Sequence, residues 1–135
     1  MDHSNRLQAY VTTALWSSTG DNDEHLDANY SIDDLAPETI DKMQADLDKF
    51  FTFLERATDG DRSLLESTLE YALPSGGDLD AEGTICHDFW LTRCGHGCGF
   101  WDGDYGDIGD RLTKACEAFG NVDLYVGDDG LIYQV

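Results

Sequence analysis

The chain is predicted to be α+β, with N-terminal helices packed on a small antiparallel sheet of three or four strands. Three observations lead there. Apolar residues recur at helical spacing up to residue 73, whereas β-branched, aromatic and glycine residues dominate beyond residue 83. The charge shifts at the same place, with 19 acids and 5 bases in residues 1–83 against 9 acids and 3 bases in 84–135. At 135 residues the chain is read as one domain, 1–83 mainly helical and acidic, 84–135 mainly β with one helix.

The first helix is predicted over Asn5–Ser17. Leu7, Tyr10, Val11, Ala14 and Leu15 make one apolar stripe, Ser4 or Asn5 can cap its start, and Gly20 suits its end. A polar, acidic loop follows over 20–29, and a short turn over 31–35 leads into the second helix, Pro37–Arg56. Pro37 fits the first helical position, and Ile40, Met43, Leu47, Phe50 and Leu54 repeat as three, four, three, four. Asp41, Asp46, Asp48 and Glu55 fall largely away from that stripe. Leu64, Leu65, Leu69 and Leu73 predict a third helix over 62–71, closed by Pro74-Ser75-Gly76-Gly77. Residues 84–93 read as a strand, the glycines at 95, 97 and 99 as a reversal, and Phe100-Trp101 as the returning strand. Ile108, Leu112, Ala115 and Phe119 predict a last helix from Asp107 or Gly109 to Ala118. The chain ends in a hairpin, 122–126 and 131–133 about a turn at 127–130.

The net charge of −20 narrows the partners. A phosphate backbone is repelled by such a surface, so direct nucleic-acid binding is not expected, and anionic membranes are disfavoured for the same reason. The sequence has no apolar run long enough for a membrane span and no secretory start, so a cytosolic protein with reduced thiols at Cys86, Cys94, Cys98 and Cys116 is expected. A basic protein surface would be attracted and steered.

The densest chemistry lies in residues 87–110, HDFWLTRCGHGCGFWDGDYGDIGD. His87, Asp88, Arg93, His96 and Asp102 are the candidate catalytic residues, since a His beside a carboxylate is an acid–base pair, and Cys94 near His96 has the makings of an activated thiol. On a strand, His87 and Arg93 share a face about 20 Å apart, too far to act together without a bend. Cys86, Cys94, His96 and Cys98 are a weak zinc alternative, because a Cys-x-His-x-Cys spacing lacks the paired knuckles of structural sites. Asp102, Asp104, Asp107 and Asp110 miss the EF-hand template and suit turns and helix capping. No metal or cofactor is therefore assigned. Phe89, Trp90, Phe100, Trp101 and Tyr105 supply core, with any exposed member a binding hot spot.

The run HDFWLTRxGHGxGFWD resembles a family of small uncharacterised bacteriophage proteins. The likeness extends to 14–19, to 30–32, to 36–39, and to 119–120 with 123–130. The family form has Asn where Cys94 stands and Ala where Cys98 stands, which weakens the zinc reading further, while His87, Asp88, Arg93, His96 and Asp102 match it. The resemblance implies an accessory protein in an infected bacterium's cytoplasm and lends no established activity. Three functions follow. The first is a phage accessory protein that inhibits or redirects a host protein with a basic surface, as an acidic nucleic-acid mimic. Asp21, Asp23, Glu24, Asp27, Asp41, Asp46, Asp48, Trp101 and Asp104 are its candidate contacts. The second is a small enzyme acting on a nucleotide or nucleic acid through the His/Asp/Arg set. The third is a structural adaptor.

Overall fold

A computed structural model describes residues 5–18, 24–72, 81–94, 100 and 105–134. Five helices carry the architecture: α1 Asn5–Ser17, α2 Pro37–Arg56, α3 Leu64–Tyr71, α4 Ala81–Cys94 and α5 Gly109–Glu117. Two antiparallel ribbons accompany them, β1 Thr58–Asp59 with β2 Arg62–Ser63, and β3 Leu124–Val126 with β4 Ile132–Gln134. The fold is α+β as predicted. Among the described residues the sheets have two strands each, not three or four.

The first two helices occupy the predicted spans, because each has one apolar stripe and a clear start. The turn before α2 is a 3-10 turn, Ile32–Asp34, closed by a capping box. Ser31 accepts from the Asp33 amide, and the Asp34 carboxylate accepts from the Ser31 amide. α3 begins two residues later than predicted, after Ser63 caps it by accepting from the Glu66 amide. α5 follows a 3-10 turn, Gly106–Ile108, within the predicted range. The C-terminal hairpin pairs Tyr125 with Tyr133 and turns at Gly127–Gly130, where Gly130 takes φ +81°. Ala36 and Thr39 both donate to the Ile132 carbonyl, which fixes β4 to the start of α2.

Residues 84–93 are the main correction: they are the body of α4, not a strand, so residues 84–135 are not mainly β. Nine of the 14 residues of α4 are buried, and α1 packs along it more extensively than any other pair of elements in the fold. A helix enclosed on nearly every side has no polar face, and so no 3.6-residue period to betray it. Burial between α1 and its neighbours overrides the β preference of Thr84, Ile85, Phe89 and Trp90. The predicted reversal and returning strand fall on 95–99 and 101, outside the described residues; Phe100 itself sits in a turn.

The core is aromatic around α4. Phe89 stacks on Phe50 of α2 at 4.2 Å, Trp90 meets Tyr10 of α1 edge-on at 5.3 Å, and Phe100 packs on Phe50 and Tyr105. The Trp90 indole donates to Ser17 Oγ at 2.8 Å. This gives its one polar atom a partner, as a buried tryptophan requires.

Candidate functional site

α4 delivers the polar residues of the 87–110 run to different places. Its 1.5 Å rise and 100° turn put His87 and Arg93 about 9 Å apart along the axis and about 120° apart around it. They therefore neither share a face nor lie 20 Å apart.

Arg93 points inward, with its side chain 2% exposed. Its guanidinium donates to Asp46 Oδ2 of α2 at 3.0 Å and to the Tyr10 hydroxyl of α1 at 2.8 Å. It also donates to the carbonyls of Phe119 and Gly120 beyond α5, at 3.1 and 3.2 Å. One cation thus joins α1, α2, α4 and the end of α5. The fork geometry of arginine suits four acceptors in this way, and a buried charge is tolerated only when so satisfied. Asp46 is its counter-ion and is itself buried, with its other oxygen accepting from Lys42 Nζ at 3.0 Å. Asp46 therefore leaves the set of partner-facing carboxylates. The Tyr10 phenol is pushed far above its ordinary range, mainly by burial.

Asp88 and Thr92, on the same helix, hold the following loop. Asp88 Oδ2 accepts from the Tyr105 hydroxyl at 2.6 Å, and Thr92 Oγ1 accepts from the Phe100 amide at 2.9 Å. Thr92 in turn donates to the Asp88 carbonyl one turn back. Asp88 Oδ1 contacts His87 Nδ1 at 3.0 Å. His87 is half-buried and stacks on Trp16, which is 50% exposed. His87, Asp88 and Tyr105 make a hydrogen-bonded chain that reaches the surface at one end. Arg93 is absent from it. His96 and Asp102 lie outside the described residues, so the five-residue catalytic set is not assembled by what is described.

The thiols are poorly placed for catalysis or zinc. Burial, helped by Asp123, pushes the Cys94 thiol up to about 11, the opposite of the activation a nucleophile needs. Cys86 and Cys94 are eight residues apart on one helix, about 12 Å by its rise, beyond what two Zn–S bonds of about 2.3 Å bridge. The zinc set of Cys86, Cys94, His96 and Cys98 thus cannot close on one ion; His96 and Cys98 lie outside the described residues. Among the described residues no three His, Cys, Asp or Glu side chains are arranged to hold a metal ion.

Two groups of exposed carboxylates bear on the predicted contact set. On α2, Asp41, Asp48 and Glu55 recur every seven residues and are exposed, but Lys42, Lys49 and Arg56 follow each of them and are exposed too. Seven residues nearly complete two turns, so an acidic row runs beside a basic row. This helix is not an uninterrupted phosphate-like track. Residues 7–41, in contrast, contain eight acids and no Lys or Arg. Glu24, Asp27, Asp33, Glu38 and Asp41 are exposed there, and none forms an ion pair among the described residues. Asp21, Asp23, Trp101 and Asp104 lie outside the described residues.

Within this arc a groove of about 270 Å³ separates α1 from two 3-10 turns, Leu26–Ala28 and Ile32–Asp34. Sequence reasoning missed it, since no motif marks it. The available signal was that Val11 and Leu15 continue the apolar stripe of α1 beside polar Gln8 and Thr12. The exposed Tyr125, stacked on Tyr133 at 5.6 Å, was also missed. The run Leu124-Tyr125-Val126 does not alternate apolar with polar, so the sequence carried no signal for it.

Among the described residues no helix is long and apolar enough to cross a membrane. No protein-family model, curated protein or solved structure matches the chain.

Proposed function

We propose that this is a phage accessory protein that binds and inhibits, or redirects, a host protein with a basic surface, presenting carboxylates in place of a nucleic-acid backbone, for example against a defence nuclease. The observation that carries the reading is this arc, five exposed carboxylates between Glu24 and Asp41 with no Lys or Arg among them. It is supported by how the rest of the chain uses its polar groups. Asp88, Thr92, Arg93 and Tyr105, the described polar core of the run that resembles phage proteins, are engaged in holding the fold together. The acidic contact surface accordingly shrinks to the arc, which ends at Asp41, and excludes Asp46 and the rest of the mixed row on α2, Asp48 and Glu55.

A pull-down from lysate of the natural host tests it. A partner should be retained at about 50 mM salt, released by about 500 mM, and displaced by duplex DNA, because screening shortens the reach of surface charge. A partner indifferent to both salt and DNA would refute mimicry.

One observation favours a second reading, a small enzyme: the His87–Asp88 contact, with the imidazole at the surface. It would use His87 as a general base held by Asp88, without Arg93. An unchanged biological effect in His87→Ala would exclude it.

A further inference from the structure

We propose that the groove between α1 and the 3-10 turns is the seat of one arginine side chain of the partner. The proposal rests on the basic-partner reading and names its anchor. The groove's floor is apolar. Val11 and Leu15 come from α1, while Tyr30 and Ile32 come from the facing segment. Its rim is polar, with the exposed Thr12 and Gln8 one turn apart on α1 and the exposed Asp27 on the facing 3-10 turn.

The lining matches one chemistry. An arginine stem can lie along apolar surface with its charged head at the rim. Its planar guanidinium stacks on a tyrosine ring such as Tyr30 and bonds a carboxylate such as Asp27 through two parallel N–H donors. An anion is repelled by Asp27 in the groove's lining, and a purely apolar side chain would leave Asp27 unused. A lysine ammonium is more strongly hydrated and does not stack, so it gains less from this floor. Arginine anchors in pockets are also where interfaces concentrate their binding energy.

The test uses the full chain and a nona-arginine peptide at about 50 mM salt, where exposed charges are weakly screened. Amide resonances of Val11, Thr12, Leu15 and Ile32 should move most on titration. Thr12→Trp closes the groove from an exposed position and should weaken binding at least about tenfold, as loss of an anchor does. Thr12→Arg, which places a cation in the groove from within, is the second variant should tryptophan disturb folding. Asp27→Asn should weaken binding about threefold, within the range for one exposed pair. Asp48→Asn, the same charge change on α2, should leave the Kd within about twofold.

Undiminished binding in Thr12→Trp with dispersed shifts overturns the groove but spares the acidic-surface reading. Equal affinity and the same footprint for nona-lysine overturns the guanidinium assignment. No binding of either peptide to the unaltered protein overturns the basic-partner reading itself, and the groove with it.

Discussion

Two stretches of similar length use charge in opposite ways. α4 buries an arginine and an aspartate and joins each to residues distant in sequence: Arg93 to Tyr10, Asp46 and the carbonyls after α5, Asp88 to Tyr105. The arc from Glu24 to Asp41 exposes five carboxylates and, among the described residues, pairs none with a cation. In the first stretch ionised groups fix how helices meet; in the second they act at most on their own turn, as Asp34 does in its capping box, and otherwise shape the field outside. Residue type alone does not separate the two cases. Asp46 and Asp48 sit two positions apart on α2, one sealed against Arg93 and one in solvent.

The largest effect should come from breaking the buried pair. Arg93→Met leaves the buried Asp46 with only the exposed Lys42 as partner and orphans the carbonyls of Phe119 and Gly120, so urea denaturation should show a loss of about 3–5 kcal/mol. Asp46→Leu combined with Arg93→Met should cost less than the sum of the two single changes. The coupling should be about 1–3 kcal/mol, because the double variant leaves neither charge without its partner. A loss below 1 kcal/mol in Arg93→Met would erase the contrast between the two stretches.

The next effect is in reactivity. With its thiol raised to about 11 against an ordinary 9.0, Cys94 should carry about 100-fold less thiolate near pH 8 than an exposed cysteine. Site-resolved alkylation by mass spectrometry should follow that ratio, rising roughly tenfold per pH unit until the thiol titrates. Fast labelling of Cys94 at pH 8 would mean that the end of α4 is open, not sealed. Thr92→Val ranks third. It removes the acceptor of the Phe100 amide and should cost about 1–3 kcal/mol, the penalty of an unsatisfied buried donor.

What the sequence disclosed depended on which elements have two unlike faces. α1 and α2 are apolar on one side and polar on the other, so their periods and ends were legible, as was α5 with its glycine stop. α4 has no polar side. The same run of aromatic and β-branched residues suits a buried helix and a buried strand, and only the packing of α1, α3 and α5 around it decides. That misreading carried over to the site, since strand geometry placed His87 and Arg93 on one face. The site was legible as a density of unusual residues but not as an arrangement. Nothing local to Arg93 names Asp46, 47 positions away, or Tyr10, 83 away. The groove depends on two segments meeting and has no signature in either.

The smallest stability effects belong to the arc, and their sign is informative. Asp27→Asn, Asp33→Asn and Asp41→Asn each remove an exposed charge from a chain of net charge −20. Each should change stability by less than about 0.5 kcal/mol. The three together should raise the melting temperature at low salt, because self-repulsion of a highly charged chain opposes the compact state. Added salt should stabilise the unaltered protein more than the triple variant, since screening does for one what neutralisation has done for the other. Glu38 is the instructive exception. It lies in the first turn of α2, where a negative charge meets the free amides of the helix start. Glu38→Gln should therefore forfeit about 0.3–1 kcal/mol of that interaction and offset the relief. If all four changes destabilise by 1 kcal/mol or more, the arc is holding the fold together as α4 does, and its charge is not free for a partner.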